Sequence, residues 1–244
     1  MKTKTDSLTM KPARASCTLV CILGFALEAG AATIDFESLA GMDNAIVPVP
    51  AASQLSDQFL STLGVSFSSG SPYVAVVNLG LFHATSGINA IGGSTPGGLL
   101  TYDGAFPIVA TFFDPNHPAT AATTDFVSLR IDLVPTSGQN VTLNAFDLNG
   151  QLITSFVTPD ASGATLQVSA PGIHSVQFIG TMDISGAAVD DFTFNPVVPV
   201  PEPSTIFLLL VGGAALWYSV QGRIQSACSS GLRTCSRRGT RARG

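Results

Sequence analysis

The residues able to do chemistry are few and scattered. The chain has three histidines, His83, His117 and His174, with no HExxH spacing and no i,i+4 pair among them. Gly92-Gly93-Ser94-Thr95-Pro96 misses the last glycine of a Gly-x-Ser-x-Gly nucleophile elbow, and no strand-to-helix pattern surrounds it. No Walker A loop or dinucleotide-binding fingerprint is present. The four cysteines, Cys17, Cys21, Cys228 and Cys235, stand near the two ends, so the middle offers no thiolate nucleophile or zinc ligand set. A glycosidase would need two carboxylates across a cleft, and nothing in the spacing singles out a pair. The expectation is that the protein is not an enzyme and that no residue is catalytic; a secreted hydrolase is the weakest alternative. A sugar-stacking platform would present Trp or Tyr faces. The one Trp, Trp217, lies in a C-terminal apolar run, and the middle has only Tyr73 and Tyr102.

The middle of the chain is built to form strands. Residues 127, 129, 131 and 133 are apolar and alternate with Ser128, Arg130 and Asp132, the period of a half-buried strand. Residues 141–147 and 151–157 flank Asn149-Gly150, a dipeptide expected to supply the positive-φ positions of a tight hairpin. Further strands are expected at 33–38, 64–68, 73–78, 109–113, 165–169, 174–179 and 188–194. No window of ten residues carries a 3.6-residue apolar stripe. Gly, Pro, Ser and Asn punctuate at short intervals, as at 92–98. Thirteen phenylalanines between residues 33 and 203 suit a core. The expected fold is all-β, a single antiparallel β-sandwich of jelly-roll type over residues 33–197.

Charge is distributed unevenly among the 244 residues, 11% of which are charged for a net −5. Four of the 11 Lys and Arg precede residue 15 and six follow residue 220. Arg130 alone remains between residues 33 and 203, against 14 Asp and Glu, a balance of −13. A nucleic-acid surface needs clustered cations and is excluded as a partner.

The two ends read as addresses. Residues 1–32 combine a basic start, an apolar run over 15–27 that is shorter than the ~20 residues of a membrane span, and Ala29-Gly30-Ala31. That is a secretory signal helix, with cleavage expected after Ala31 or Ala32 by signal peptidase following general secretion. Residues 198–220 contain Pro201-Glu202-Pro203 and then fifteen uncharged residues, 206–220, which as a helix span about 22 Å. Trailing arginines favour a cytoplasmic end. The expectation is a single C-terminal transmembrane helix, with a basic tail over 221–244. Tripeptide, apolar helix, arginines and N-terminal signal together resemble the PEP-CTERM sorting signal of Gram-negative bacteria. The resemblance implies export across the inner membrane and transient anchoring. It also implies recognition of Pro201, Glu202 and Pro203 by an exosortase-type enzyme, and display at the cell surface, outer membrane or matrix beside exopolysaccharide. The tail departs from the family, which ends a few arginines after the helix.

Residues 140–194, including Ala170-Pro171-Gly172-Ile173 and Val189-Asp190-Asp191-Phe192-Thr193-Phe194, also resemble the sandwich common in PEP-CTERM proteins and lectin-like, carbohydrate-binding jelly rolls. A carbohydrate-binding module is therefore the alternative function. The resemblance further implies one structural calcium between the first and last strands. Its ligands would come from Asp35 and Glu37, which share a face, and from Asp190 and Asp191, which do not unless a bulge intervenes. On simple alternation Asp190 shares the face of Phe192 and Phe194, and burying it unpaired would be costly.

Mass spectrometry of the exported protein is expected to show a new N-terminus at Ala32 or Thr33 and no peptide beyond about residue 205. Peptides from 233–244 in the mature surface form would refute the sorting signal.

Overall fold

The computed structural model describes residues 30–43, 48–80, 84–102, 104–132, 140–159, 163–180 and 187–201, with 208, 210–214 and 216–218 of a C-terminal helix. The secretory segment over 1–29, Glu202, Pro203 and the tail over 221–244 lie outside the described residues. Among those described, no helix is long and apolar enough to cross a membrane.

Fifteen strands follow one another: β1 Ala32–Ile34, β2 Met42–Asp43, β3 Gln54–Leu55, β4 Val65–Ser68, β5 Val74–Asn78, β6 Asn89–Ser94, β7 Leu100–Thr101 and β8 Ile108–Asp114. Then come β9 His117–Asp132, β10 Asn140–Phe146, β11 Leu152–Pro159, β12 Thr165–Ile173, β13 Ser175–Ile179, β14 Ala188–Phe194 and β15 Val198–Pro199. Pairing is antiparallel throughout except for β2 with β5, which is parallel. One layer runs β11-β10-β13-β8-β4. The other runs β12-β9-β14-β6-β5, with β1 on β14, and the two join through the β8–β9 hairpin.

Alternation explains which side of each strand is buried. Val141, Leu143 and Ala145 of β10 and Val176 and Phe178 of β13 point inward. They meet Val127, Leu129 and Ile131 of β9 in one apolar interior. Its centre is a run of rings: Phe67 lies edge-on to Phe192 at 5.3 Å, and Phe194 stands 5.2 Å from Phe112 and 5.6 Å from Phe192. Each such pair adds roughly 0.5–1.5 kcal/mol beyond the area it buries. The mostly-β, largely antiparallel reading of the sequence therefore holds, and so does pairing of the first strand with the last, since Ala32, Thr33 and Ile34 face Phe194, Thr193 and Phe192.

Four local expectations need correction. The first strand stops at Ile34 rather than running to 38, because Phe36 adopts φ 59 and turns the chain inward. At 149–150 only Gly150 has positive φ (72°). The Asp147 carbonyl accepts from Gly150 N–H at 3.0 Å, giving a turn with one left-handed residue in place of a two-residue primed turn. The glycine-rich segment at 92–98, read as punctuation, begins inside a strand: β6 is buried along its whole length. Gly92 and Gly93 are needed there because a Cβ at either would strike Tyr102 or the Phe106 carbonyl. Leu60–Leu63 forms one helical turn, closed by Gly64 in the left-handed region.

Candidate functional site

The end of the sandwich bearing the predicted acids is organised around one loop. Three carboxylates from three separate segments grip residues 85–89. Asp132, at the end of β9, accepts from Thr85 N–H at 2.9 Å and from Thr85 Oγ1 at 2.7 Å. Asp190, in β14, accepts from Ser86 N–H at 2.7 Å and from Ser86 Oγ at 3.0 Å. Glu37, after β1, accepts from the N–H groups of Ile88 and Asn89 at 2.8 and 2.7 Å. Between these anchors Gly87 takes φ +57, and a Cβ there would collide with the Glu37 carboxyl group. Charge-assisted hydrogen bonds of this kind are the stronger ones, so the loop that opens β6 is fastened at both ends.

A bulge aims Asp190. The register of β14 on β9 shifts between Asp190 and Thr193, and Asp191 takes φ 46. Val189, Phe192 and Phe194 all line the interior, while Asp190 pairs across with Arg130 on the opposite face. Simple alternation had put Asp190 beside Phe192 and Phe194. The extra residue moves it to the other side, where the 85–89 loop buries it completely. Burial pushes its carboxyl up to about 6, against the pull of the Ser86 and Asp191 donors. Asp35 stays exposed and accepts from Glu37 N–H at 3.2 Å, and Asp191 is half-buried. Thus Glu37 and Asp190 are brought to one loop, with Asp132 as a partner absent from the sequence reading. Among the described residues no group of three or more His, Cys, Asp or Glu is arranged to hold a metal ion. The partners of these carboxylates are N–H and O–H donors, whereas calcium would need their oxygens itself.

A second surface stands out by having no charge. The outward residues of the β11-β10-β13-β8-β4 layer fall into rows. One row runs Ser155, Asn144, Gln177, Val109 and Ser68; the next runs Leu152, Phe146, Ser175, Thr111 and Ser66. Ser155 Oγ donates to Asn144 Oδ1 at 2.8 Å. Amides, hydroxyls and apolar groups alternate over five strands without one ionisable side chain in either row. In a region of net −13, such a face suits an uncharged, hydroxyl-rich ligand or another uncharged protein surface. The strand alternation carried this signal in Thr142, Asn144 and Phe146, but only the pairing register assembles it.

The sorting tripeptide begins where the sandwich ends. β15 pairs with β9, Val200 N–H donates to the Ala121 carbonyl at 2.9 Å, and Pro201 follows exposed. Ala31 is exposed one residue before β1, and Ala32 opens it.

No protein family matches the sequence, and neither does any curated protein. Among solved structures, the chain is similar to the K2 cleaved adhesin domain of Lys-gingipain, at 15% identity over 68% of this chain and 99% of that one, with a TM-score of 0.38. It is also similar to the CBM22-1–CBM22-2 tandem domain of Paenibacillus barcinonensis Xyn10C, at 16% identity over 74% and 49%, with a TM-score of 0.37. The CBM22-1 xylan-binding domain of the same protein gives 14% identity over 72% and 100%, with a TM-score of 0.34. Likenesses this distant decide nothing about ligand, and the architecture above rests on the strand pairing.

The Asp190 carboxyl gives the site a pH signature. Its folded value lies above the ~3.9 of an unfolded aspartate. Its contribution to stability is thus fully present below about pH 4 and is lost as the pH rises through 6. Asp147, held low first by the Gln151 N–H, and Asp114, held low first by His117, act oppositely and lose their contribution only as the pH falls below ~3.9. Thermal melts are therefore expected to rise by a few degrees from pH 7.5 to 4.5, and Asp190→Asn is expected to flatten that rise. An equal rise in the variant would assign the effect elsewhere. The same melts on metal-stripped protein address the cation: a calcium-induced increase that Asp190→Asn removes would place calcium there. Superimposable curves with calcium and chelator would leave the carboxylates to the loop.

Proposed function

We propose that this chain is an exported, non-enzymatic β-sandwich protein of jelly-roll type, sorted to the cell surface or matrix through Pro201-Glu202-Pro203. One observation carries the reading: the folded body closes with β15, and the motif's first residue emerges exposed two residues later. A processing enzyme needs its recognition segment extended and accessible, and the prolines at 199, 201 and 203 keep it extended. The strand ladders end before the motif, so cleavage there leaves them intact. In this reading the exosortase-type enzyme acts on the anchored precursor, and the sandwich is what reaches the outside.

The uncharged sheet face favours a second role, carbohydrate binding. Amide and hydroxyl side chains in register offer donors and acceptors to sugar hydroxyls, and Phe146 and Leu152 offer apolar contact. An anionic polysaccharide would meet no cation in either row, so a neutral one is the better fit, including a neutral exopolysaccharide.

Glu202→Ala is expected to leave precursor in the inner membrane while the sandwich folds unchanged, because exposed positions usually alter stability by less than about 0.5 kcal/mol. Unchanged release would reduce the C-terminal segment to a plain anchor. For the second role, a glycan array probed with the exported chain is expected to retain neutral over anionic glycans. Asn144→Asp, which puts a charge amid the rows, is expected to abolish retention. Binding that survives this change would move the ligand off the face.

A further inference from the structure

We propose that β11 is a self-association edge, pairing antiparallel with β11 of a second copy across a two-fold axis. This goes beyond the sorting and glycan readings and depends on neither.

The two layers end side by side in β11 and β12, and the two edges are built differently. β12 is blunted: its register on β9 shifts between Ser169 and Ile173, across Pro171 and Gly172 at φ 81. Proline and a bulge are the usual devices by which an edge refuses another strand. β11 has neither within its span. It pairs residue for residue with β10 from Asn140↔Pro159 to Ala145↔Thr154, and β10 is its one ladder partner among the described residues. Its eight residues, Leu152–Pro159, include no charge and only a terminal proline. The described edges β2, β3 and β4 are two to four residues long, too short to template a strand.

Exposed apolar side chains gather at this edge. Leu148, Leu152, Ile153 and Val157 are 42%, 58%, 37% and 54% exposed. Leu99 and Val198 are the other large hydrophobic residues exposed between 30 and 200 among the described residues.

Charge and symmetry select the occupant. Residues 140–179 contain Asp147, Asp160 and no Lys or Arg, in a region of net −13. A second copy brings that same charge, and this flank is where two copies meet without opposing their acids. A basic partner would find nothing here to pair with. An edge can pair with itself only antiparallel, as an isologous two-fold contact requires. A register centred on Ser155 sets Ile153 of one copy opposite Val157 of the other, twice, on the outer face. On the inner side Thr154 meets Phe156. The two five-stranded layers then become one ten-stranded sheet with a continuous uncharged face. An edge contact of this length falls at the small end of interface sizes, below ~1,200 Å², so the association is weak and concentration-dependent.

Sedimentation equilibrium of the exported, processed chain is expected to show a monomer–dimer equilibrium in the micromolar range. Val157→Lys is expected to give monomer with an unchanged melting temperature, and Ser66→Lys, on the same layer at its far strand, is expected to keep the dimer. Mixing Val157→Lys with Ile153→Glu chains should restore association, because that register places the new charges opposite each other. Hydrogen exchange on the unaltered chain gives an independent reading: β11 amides should gain protection with concentration while β12 amides do not. Monomer at every concentration would overturn the proposal. A dimer that survives Val157→Lys, or is lost equally with Ser66→Lys, would also overturn it. Failure of the mixture to associate, or concentration-independent exchange, counts against it likewise.

Discussion

One inserted residue in the last long strand governs much of this molecule. Without the bulge at Asp190–Asp191, period-two alternation could not send Val189, Phe192 and Phe194 to the same side. Phe192 would lose its place against Phe67, and the aromatic run joining the two layers would break. Asp190 would turn into the apolar interior, where a carboxylate has no donors and its ionisation is prohibitive. With the bulge, the core keeps its rings and the carboxylate finds Ser86 instead. The cost is a non-glycine residue at φ 46, of order 1–3 kcal/mol. Packing of three core side chains and a fully engaged carboxylate offset it.

The bulge also marks where sequence reasoning ran out. The strands from 64 to 78, from 108 to 114 and from 140 to 194 were legible because each alternates cleanly and ends in turn residues. Asp190 was legible as a buried acid needing partners, but its face was misassigned, because alternation carries no warning of an inserted residue. The partners were illegible for a different reason. Thr85, Ser86, Ile88 and Asn89 contribute main-chain N–H groups, and every residue but proline has one. β6 was missed because two glycines in a strand read as a breaker. Their small size is what lets Tyr102 and the Phe106 carbonyl approach.

The absence of cations acquires a structural meaning once the sheets are assembled. Without lysine or arginine to neutralise them, the acids of the domain must be held by backbone donors or left in water. Asp132, Asp190 and Glu37 take the first course at one end; Asp114 and Asp147 take it in their turns, accepting from Asn116 N–H at 2.9 Å and from Gln151 N–H at 2.8 Å. The rows of the β11–β4 layer hold no ionisable group, which separates an acid-fastened end from an uncharged face. This division comes from the register, since the residues in each row lie far apart along the chain.

The same assembly places both processing points together. Ala32 faces Phe194 across the β1–β14 ladder, and Val198, four residues beyond Phe194, begins the last short strand on β9. The start of the folded body and its exit toward Pro201 therefore leave from neighbouring strands of one layer. A cut before Ala32 or after Pro201 removes no ladder residue, so maturation need not weaken the sandwich. A domain held by one tail near both its ends presents the opposite layer, with its uncharged rows and its β11 edge, away from the point of attachment. The side facing outward is then the side whose chemistry is free of charge, and contacts made there rest on shape, hydroxyls and amides rather than on ion pairing.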